Sequence, residues 1–183
     1  MDQKKEAEII ARVLNGDRQV YSLLVEEYKA PVYNLAYRMT GNSEDADDLA
    51  QETFIRAYCK IRYFNPEKKF FTWLYTIGIN LIRNHLKKNM RNIPHKISNY
   101  DQAKARGEGS DRAEDDPAVE AKIGRMEESL RKLPVDLQEA VILRFYQDIA
   151  FEEIATITGA SVSAVKMRVY RGLAKLKQRM GDI

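Results

Sequence analysis

The chain predicts an all-α protein: two small helical domains joined by a flexible linker, the second domain carrying a helix-turn-helix. Three observations lead there. Apolar residues recur at helical spacing on both sides of a polar stretch, residues 94–117, that has almost no apolar side chains and contains Gly107 and Gly109. Helix-ending signals, Asn15-Gly16, Gly41-Asn42 and Pro134 among them, divide those apolar patterns into separate helices. Near the end, two helical patterns meet at Thr158-Gly159-Ala160, the short glycine-bearing connection of a helix-turn-helix. The expected organisation is therefore 1–93, a linker at 94–117, and 118–183.

Residues 2–14 set Ile9, Ile10, Val13 and Leu14 among charges, a short amphipathic helix ended by Asn15-Gly16. Asp17 is placed to cap the next helix, whose face carries Val20, Leu23, Leu24 and Tyr28. Pro31 predicts a kink or a fresh start, after which Val32, Leu35, Ala36 and Met39 continue the face. Gly41-Asn42 is a break, with Ser43 as cap for a helix over about 44–61 that buries Leu49, Ala50, Phe54, Ala57, Tyr58 and Ile61. Five acids fall in the nine residues 44–52, more than a helix dipole asks for. The excess points to a surface for a basic partner.

Asn65-Pro66 interrupts the pattern at 62–69, a loop expected to present Tyr63 and Phe64. Exposed there, an aromatic can receive a flipped base; packed inward, Phe64 is a plug between two helices. From Lys68 to Tyr100 there is no Asp or Glu, while seven Lys and Arg residues fall inside. Taken as a helix, 72–91 gathers Leu74, Ile77, Gly78, Leu81 and His85 on one side for packing. Trp73, Thr76, Asn80, Arg83, Asn84, Lys87 and Arg91 line the other. A ring, two amides and a set of cations can stack an unpaired base, bond its edge and hold its phosphates. The competing reading makes Trp73 half-buried and the cations a solvated face.

Beyond the linker, Ile123, Met126, Leu130 and Leu133 share a face ahead of Pro134, and Leu137, Ala140, Val141, Leu143 and Phe145 make the next. A short segment, 151–157, leads to the turn, and Ser161 caps a last helix from Val162 to about Arg179. Val162, Val165, Val169, Leu173, Leu176 and Met180 face inward there. Ser163, Lys166, Met167, Arg168, Tyr170, Arg171 and Lys175 lie opposite or at the edges, and no acid occurs between Ile154 and Gly181. Such a helix suits a major groove, although related three-helix modules bind proteins instead.

The totals exclude much. With 183 residues, 44% hydrophobic content and a net charge of +3, basicity matters through clustering rather than amount. A single cysteine, Cys59, rules out an intrachain disulfide and a cysteine-cluster zinc site; His85 and His95 are poorly placed for a metal. No Ser-His-Asp group or phosphate-binding glycine loop is present, so neither catalysis nor a cofactor is expected. Neither terminus has a leader pattern, and no apolar run is long enough to enter a membrane. Cytoplasm is the expected compartment.

Several stretches together resemble bacterial RNA polymerase sigma factors of the extracytoplasmic-function group. They are Asp45-Ala46-Asp47-Asp48-Leu49-Ala50-Gln51-Glu52 running on to Tyr58, Phe71-Thr72-Trp73-Leu74-Tyr75 running on to Asn80, and Arg83-Asn84-His85-Leu86. Leu133-Pro134, Phe151-Glu152-Glu153-Ile154-Ala155 and Ser163 to Gly172 follow in the family's order. The resemblance implies a transcription initiation factor. Asp45, Asp47, Asp48, Gln51 and Glu52 would dock on the coiled-coil clamp of the largest subunit of core RNA polymerase. Phe64, Trp73, Asn80, Arg83, Asn84, Lys87 and Arg91 would open and read the −10 element of promoter DNA. Ser163, Lys166, Met167, Arg168, Tyr170, Arg171 and Lys175 would read the −35 duplex, with this domain on the flap of the second-largest subunit. The tether would pass near the RNA exit path, and an anti-sigma factor would cover the polymerase-binding surfaces. Lys166 stands where many relatives carry Arg, and the loop at 62–69 lacks a Gly-Asp often found there. A helix-turn-helix regulator that is not a polymerase subunit would account for 118–178 but leave the acidic helix and the 64–91 face without a role.

Overall fold

The computed structural model describes residues 2–91 and 117–181, with side chains omitted at 90, 91 and 117–120. Those residues form eight α-helices: α1 (Gln3–Leu14), α2 (Tyr21–Thr40), α3 (Ser43–Lys60), α4 (Phe70–Arg91), α5 (Pro117–Arg131), α6 (Val135–Phe145), α7 (Phe151–Thr158) and α8 (Val162–Gly181). The expected linker falls outside them except for Pro117, the first residue of α5.

Local capping follows sequence chemistry, with two shifts. The Asp2 carboxylate accepts from Lys5 N–H at 2.8 Å at the start of α1, and Gly16 leaves α1 at φ 100°. Asp17 makes no cap; a turn of 3₁₀ helix, Arg18–Val20, leads into α2, and the Asp17 carboxylate takes the Arg12 guanidinium at 2.7 Å instead. The cap of α3 is Asn42, accepting from Asp45 N–H at 3.0 Å, and Ser43 is already inside the helix. Pro31 does not begin a new helix. Helix α2 runs through it from Tyr21 to Thr40, because Tyr28, Val32, Leu35, Ala36 and Met39 on the same stripe are all buried. Tertiary burial outweighs the one backbone bond that proline removes.

In the first half, α2, α3 and α4 pack on one another, with α1 across α2. In the second, α6 and α8 cross closely under α7, joined by Gly159 at φ 68°. The Ser161 hydroxyl accepts from Ala164 N–H at 3.2 Å, as a cap residue should. The apolar faces expected for α5, α6 and α8 hold at Leu130, Leu137, Val141, Leu143, Val165, Val169 and Leu176. They fail at Ile123, Phe145 and Met180, which are exposed. The two halves do not stand apart: α4 packs on α7, and α2 on α5 and α6, so their buried side chains merge into one cluster.

Helices α6 and α8 meet at Gly172, where an added Cβ would sit 2.6 Å from Val141 Cγ2 and 3.4 Å from the Leu137 carbonyl oxygen. Gly172→Ala should gain about 1 kcal/mol in helix propensity and lose more to overpacking, which costs about 1–3 kcal/mol. The expected result is a lower urea midpoint with an unchanged slope.

Candidate nucleic-acid interface

The basic helix α4 begins without a local cap. Its first amide, Phe70 N–H, donates to the Glu6 carboxylate of α1 at 3.3 Å, and the Tyr28 hydroxyl donates to the other oxygen of that carboxylate. Glu6 is buried, so this anion at a helix N-terminus acts with little screening. Burial and the bond to Glu6 push the Tyr28 hydroxyl far above its ordinary pKa, and it remains a donor.

The loop ahead of α4 is a turn held by Asn65, whose side chain accepts from Glu67 N–H at 2.9 Å and whose carbonyl accepts from Lys68 N–H at 2.9 Å. This turn drives Phe64 inward. Its ring lies 5.6 Å from Phe70 and 5.3 Å from Trp73, only 8% exposed. Phe64 is thus the plug between helices and not a surface ring. Tyr63 is the exposed aromatic, 69% accessible under the Arg62 guanidinium.

Along α4 the packing is wider than one stripe. Leu74, Gly78 and Leu81 are buried as expected, and His85 lies 3.2 Å from the Asp45 carboxylate of α3. A second strip, Tyr75, Ile79 and Ile82, is buried as well, and the Tyr75 hydroxyl bonds Gln147 at 3.0 Å. Of the anticipated ladder, Asn80, Asn84 and Lys87 are exposed, while Trp73 and Thr76 are half-buried. The side chain of Arg91 lies outside the described residues.

Arg83 is the exception. Its Nε and Nη2 donate to the two oxygens of Glu139 at 2.7 and 2.6 Å, a forked pair across the two halves, and Nη2 reaches the Thr158 carbonyl at 3.4 Å. Glu139 is wholly buried. The hydrogen bond to Glu139 raises the guanidinium pKa further, against the opposing effect of burial. Neither Glu139 nor its neighbour Gln138 was visible as a functional residue in the sequence. The available signal was the run Ala140-Val141-Ile142-Leu143, which marks α6 as apolar all round and therefore enclosed, polar residues included.

On α8, Ser163, Lys166, Met167, Tyr170, Arg171 and Lys175 are exposed together, a cationic face with two apolar side chains in it. Arg168 is turned toward α6, with Nε 3.6 Å from Asp136 and Nη1 3.8 Å from Glu139. On α3, Asp47, Asp48 and Gln51 are exposed; Asp45 faces His85, and Glu52 pairs with Arg56 at 2.6 Å. Among the described residues no cluster suits a metal ion, and no helix is long and apolar enough to cross a membrane.

Residues 24–92 match the family model of sigma-70 region 2, and residues 123–176 that of sigma-70 region 4. The RNA polymerase sigma-H factor of Pseudomonas aeruginosa is 32% identical over 177 residues, covering 93% of this chain and 91% of that one. The chain belongs to the extracytoplasmic-function sigma factors. SigW of Bacillus subtilis is 31% identical over 183 residues, 95% of this chain and 96% of the relative. The fold is also that of CnrH, solved in complex with the cytosolic domain of CnrY, at a TM-score of 0.73 and 23% identity over 99% of both chains. A sigma factor from Bartonella quintana solved with the anti-sigma factor NepR gives 0.71 at 21% identity, covering 88% of this chain and 96% of that one. This sigma factor is accordingly a transcription initiation factor that works with RNA polymerase at promoters, and not an enzyme. Region 4 holds the helix-turn-helix, α7 to α8.

Burial of Phe64 changes what its substitution does. Phe64→Ala should lose about 3–5 kcal/mol of stability in urea denaturation, whereas Tyr63→Ala should stay within about 0.5 kcal/mol.

Proposed function

We propose that α4 with the loop before it takes the opened non-template strand at the −10 element, and that α8 enters the −35 duplex. The observation that carries this is the exposed Asn80–Asn84–Lys87 strip, one helical turn apart at each step, on a helix whose other sides are packed. An amide there finds a full base edge only after the base has left the stack. Trp73 and Tyr63 offer rings at the start of the strip, Lys87 and Arg91 hold phosphates, and Arg83 joins them once freed from Glu139. Phe64 supports Trp73 from beneath.

On α8 exposure favours Arg171 and Lys166 for base edges, with Ser163, Met167, Tyr170 and Lys175 around them. Arg168, turned toward two acids of α6, positions the helix as much as it reads. The domain division 1–93, 94–117 and 118–183 accompanies these roles. The acidic surface of α3, Asp47, Asp48 and Gln51 flanked by Asp45 and Glu52, fits the largest-subunit clamp of core polymerase; region 4 would bind the flap of the second-largest subunit. An anti-sigma factor is the expected inhibitor, as the Bartonella quintana sigma factor of this fold was solved with one. Action in the cytoplasm, in a stress or envelope response, agrees with this reading.

Two results test it. Asp48→Lys with Glu52→Lys should weaken binding to core polymerase by about 1–3 kcal/mol, read by titration, with helicity unchanged. Unaltered affinity would remove α3 as the docking surface. Asn80→Ala should retain polymerase binding yet lose open-complex formation on duplex promoters, with recovery on a pre-melted template. Permanganate reactivity of unpaired thymines reports it, and normal opening of duplex promoters would make the strip a solvated face.

A further inference from the structure

Along α8 the buried residues Val165, Val169, Gly172 and Leu176 form one stripe, on the side that packs against α5, α6 and α7. At about 100° per residue, Met167 stands about 180° round the helix from the middle of that stripe, on the outermost line of α8. Ser163 and Tyr170 flank it on one side and Arg171 on the other, all of them exposed. The cations nearer the neighbouring helices are drawn sideways. The Lys166 ammonium lies 5.6 Å from the centre of the Phe151 ring, and Arg168 turns to Asp136 at 3.6 Å. The group that leads the helix outward is therefore a thioether, 49% exposed, with Arg171 beside it. A phosphate gains nothing from such a group.

We propose that Met167 is a specificity-determining residue, which packs on the C5-methyl group of one thymine in the −35 element. The inference rests on the promoter role given above to α8. The floor of a major groove carries hydrogen-bond donors and acceptors and one apolar group, the methyl of thymine. Met167 lies in the second turn of α8, close to the end from which a recognition helix reaches base edges. Its unbranched, polarizable side chain can follow a methyl group that a stiffer one would miss. From Met167 to Arg171 the helix rises about 6 Å, less than two base-pair steps of about 3.4 Å, so the two side chains address adjoining pairs. Arg171 bonds a base edge, and Met167 distinguishes thymine from cytosine beside it by apolar contact alone.

The test uses the full chain with core polymerase, on promoters selected by run-off transcription from a genomic fragment library. Each thymine in the upstream duplex that the holoenzyme protects, on either strand, is replaced singly by deoxyuridine. Uracil keeps the O4 acceptor and lacks only the methyl group. One replacement should weaken holoenzyme binding about fourfold, the worth of one buried methyl group. That thymine should lie within about two base pairs of the position whose preference Arg171→Ala flattens. With Met167→Ala the same replacement should make no difference. This variant improves helix propensity and empties no packed site, so it should fold, as circular dichroism checks. Replacements that all bind like thymine overturn the proposal, and so does an equal loss in wild-type and Met167→Ala proteins. If Met167→Ala instead weakens binding to core polymerase without DNA, the side chain meets protein and the proposal falls. A wild-type holoenzyme with no sequence preference in the upstream duplex removes the reading of α8 itself, and the inference with it.

Discussion

A carboxylate with no exposed surface cannot remain charged unless cations meet it, and Glu139 is such a carboxylate. It is buried because α6 is covered on all sides, its residues 137–143 enclosed by α2, α7 and α8. The need to satisfy it draws in Arg83 from α4 and keeps Arg168 of α8 nearby. Removing one partner from such a pair typically costs about 3–5 kcal/mol. The neighbouring glutamines act alike: Gln138 satisfies carbonyls in the last turn of α2, groups that a helix end leaves without partners of its own.

A second buried carboxylate governs the other end of α4. Glu6 receives the amide of Phe70 and the hydroxyl of Tyr28, so the first turn of the basic helix is fixed by a residue 64 positions earlier. With Phe64, Phe70 and Trp73 packed together beneath it, the start of α4 is rigid. Rigidity matters for reading an unpaired strand, because the entropy of ordering the protein side has been met in advance. The exposed amide strip that follows is displayed on a fixed platform, as the proposed reading of unpaired bases requires.

The sequence by itself determined the helices, the tight turn at Gly159, the Ser161 cap and the apolar stripes, because these depend on residues three or four apart and on backbone freedom. It also determined the likeness to sigma factors, since Asp45 to Tyr58 and Phe71 to Asn80 carry family residues in family order. The acid-free faces of α4 and α8 were legible for the same local reason. What it left open were matters of distant neighbours. Phe64 could be a surface ring or a plug, and only the Asn65 turn folding it onto Phe70 and Trp73 decided. Arg83 belonged to an exposed ladder by its register, yet a carboxylate 56 residues away claimed it. Periodicity assigns each helix one buried side; α4 and α6 have more than one, because a second half of the chain packs on them. That contact joins residues far apart in the chain, which no local pattern encodes, so tertiary structure alone decided which cations of α4 are exposed.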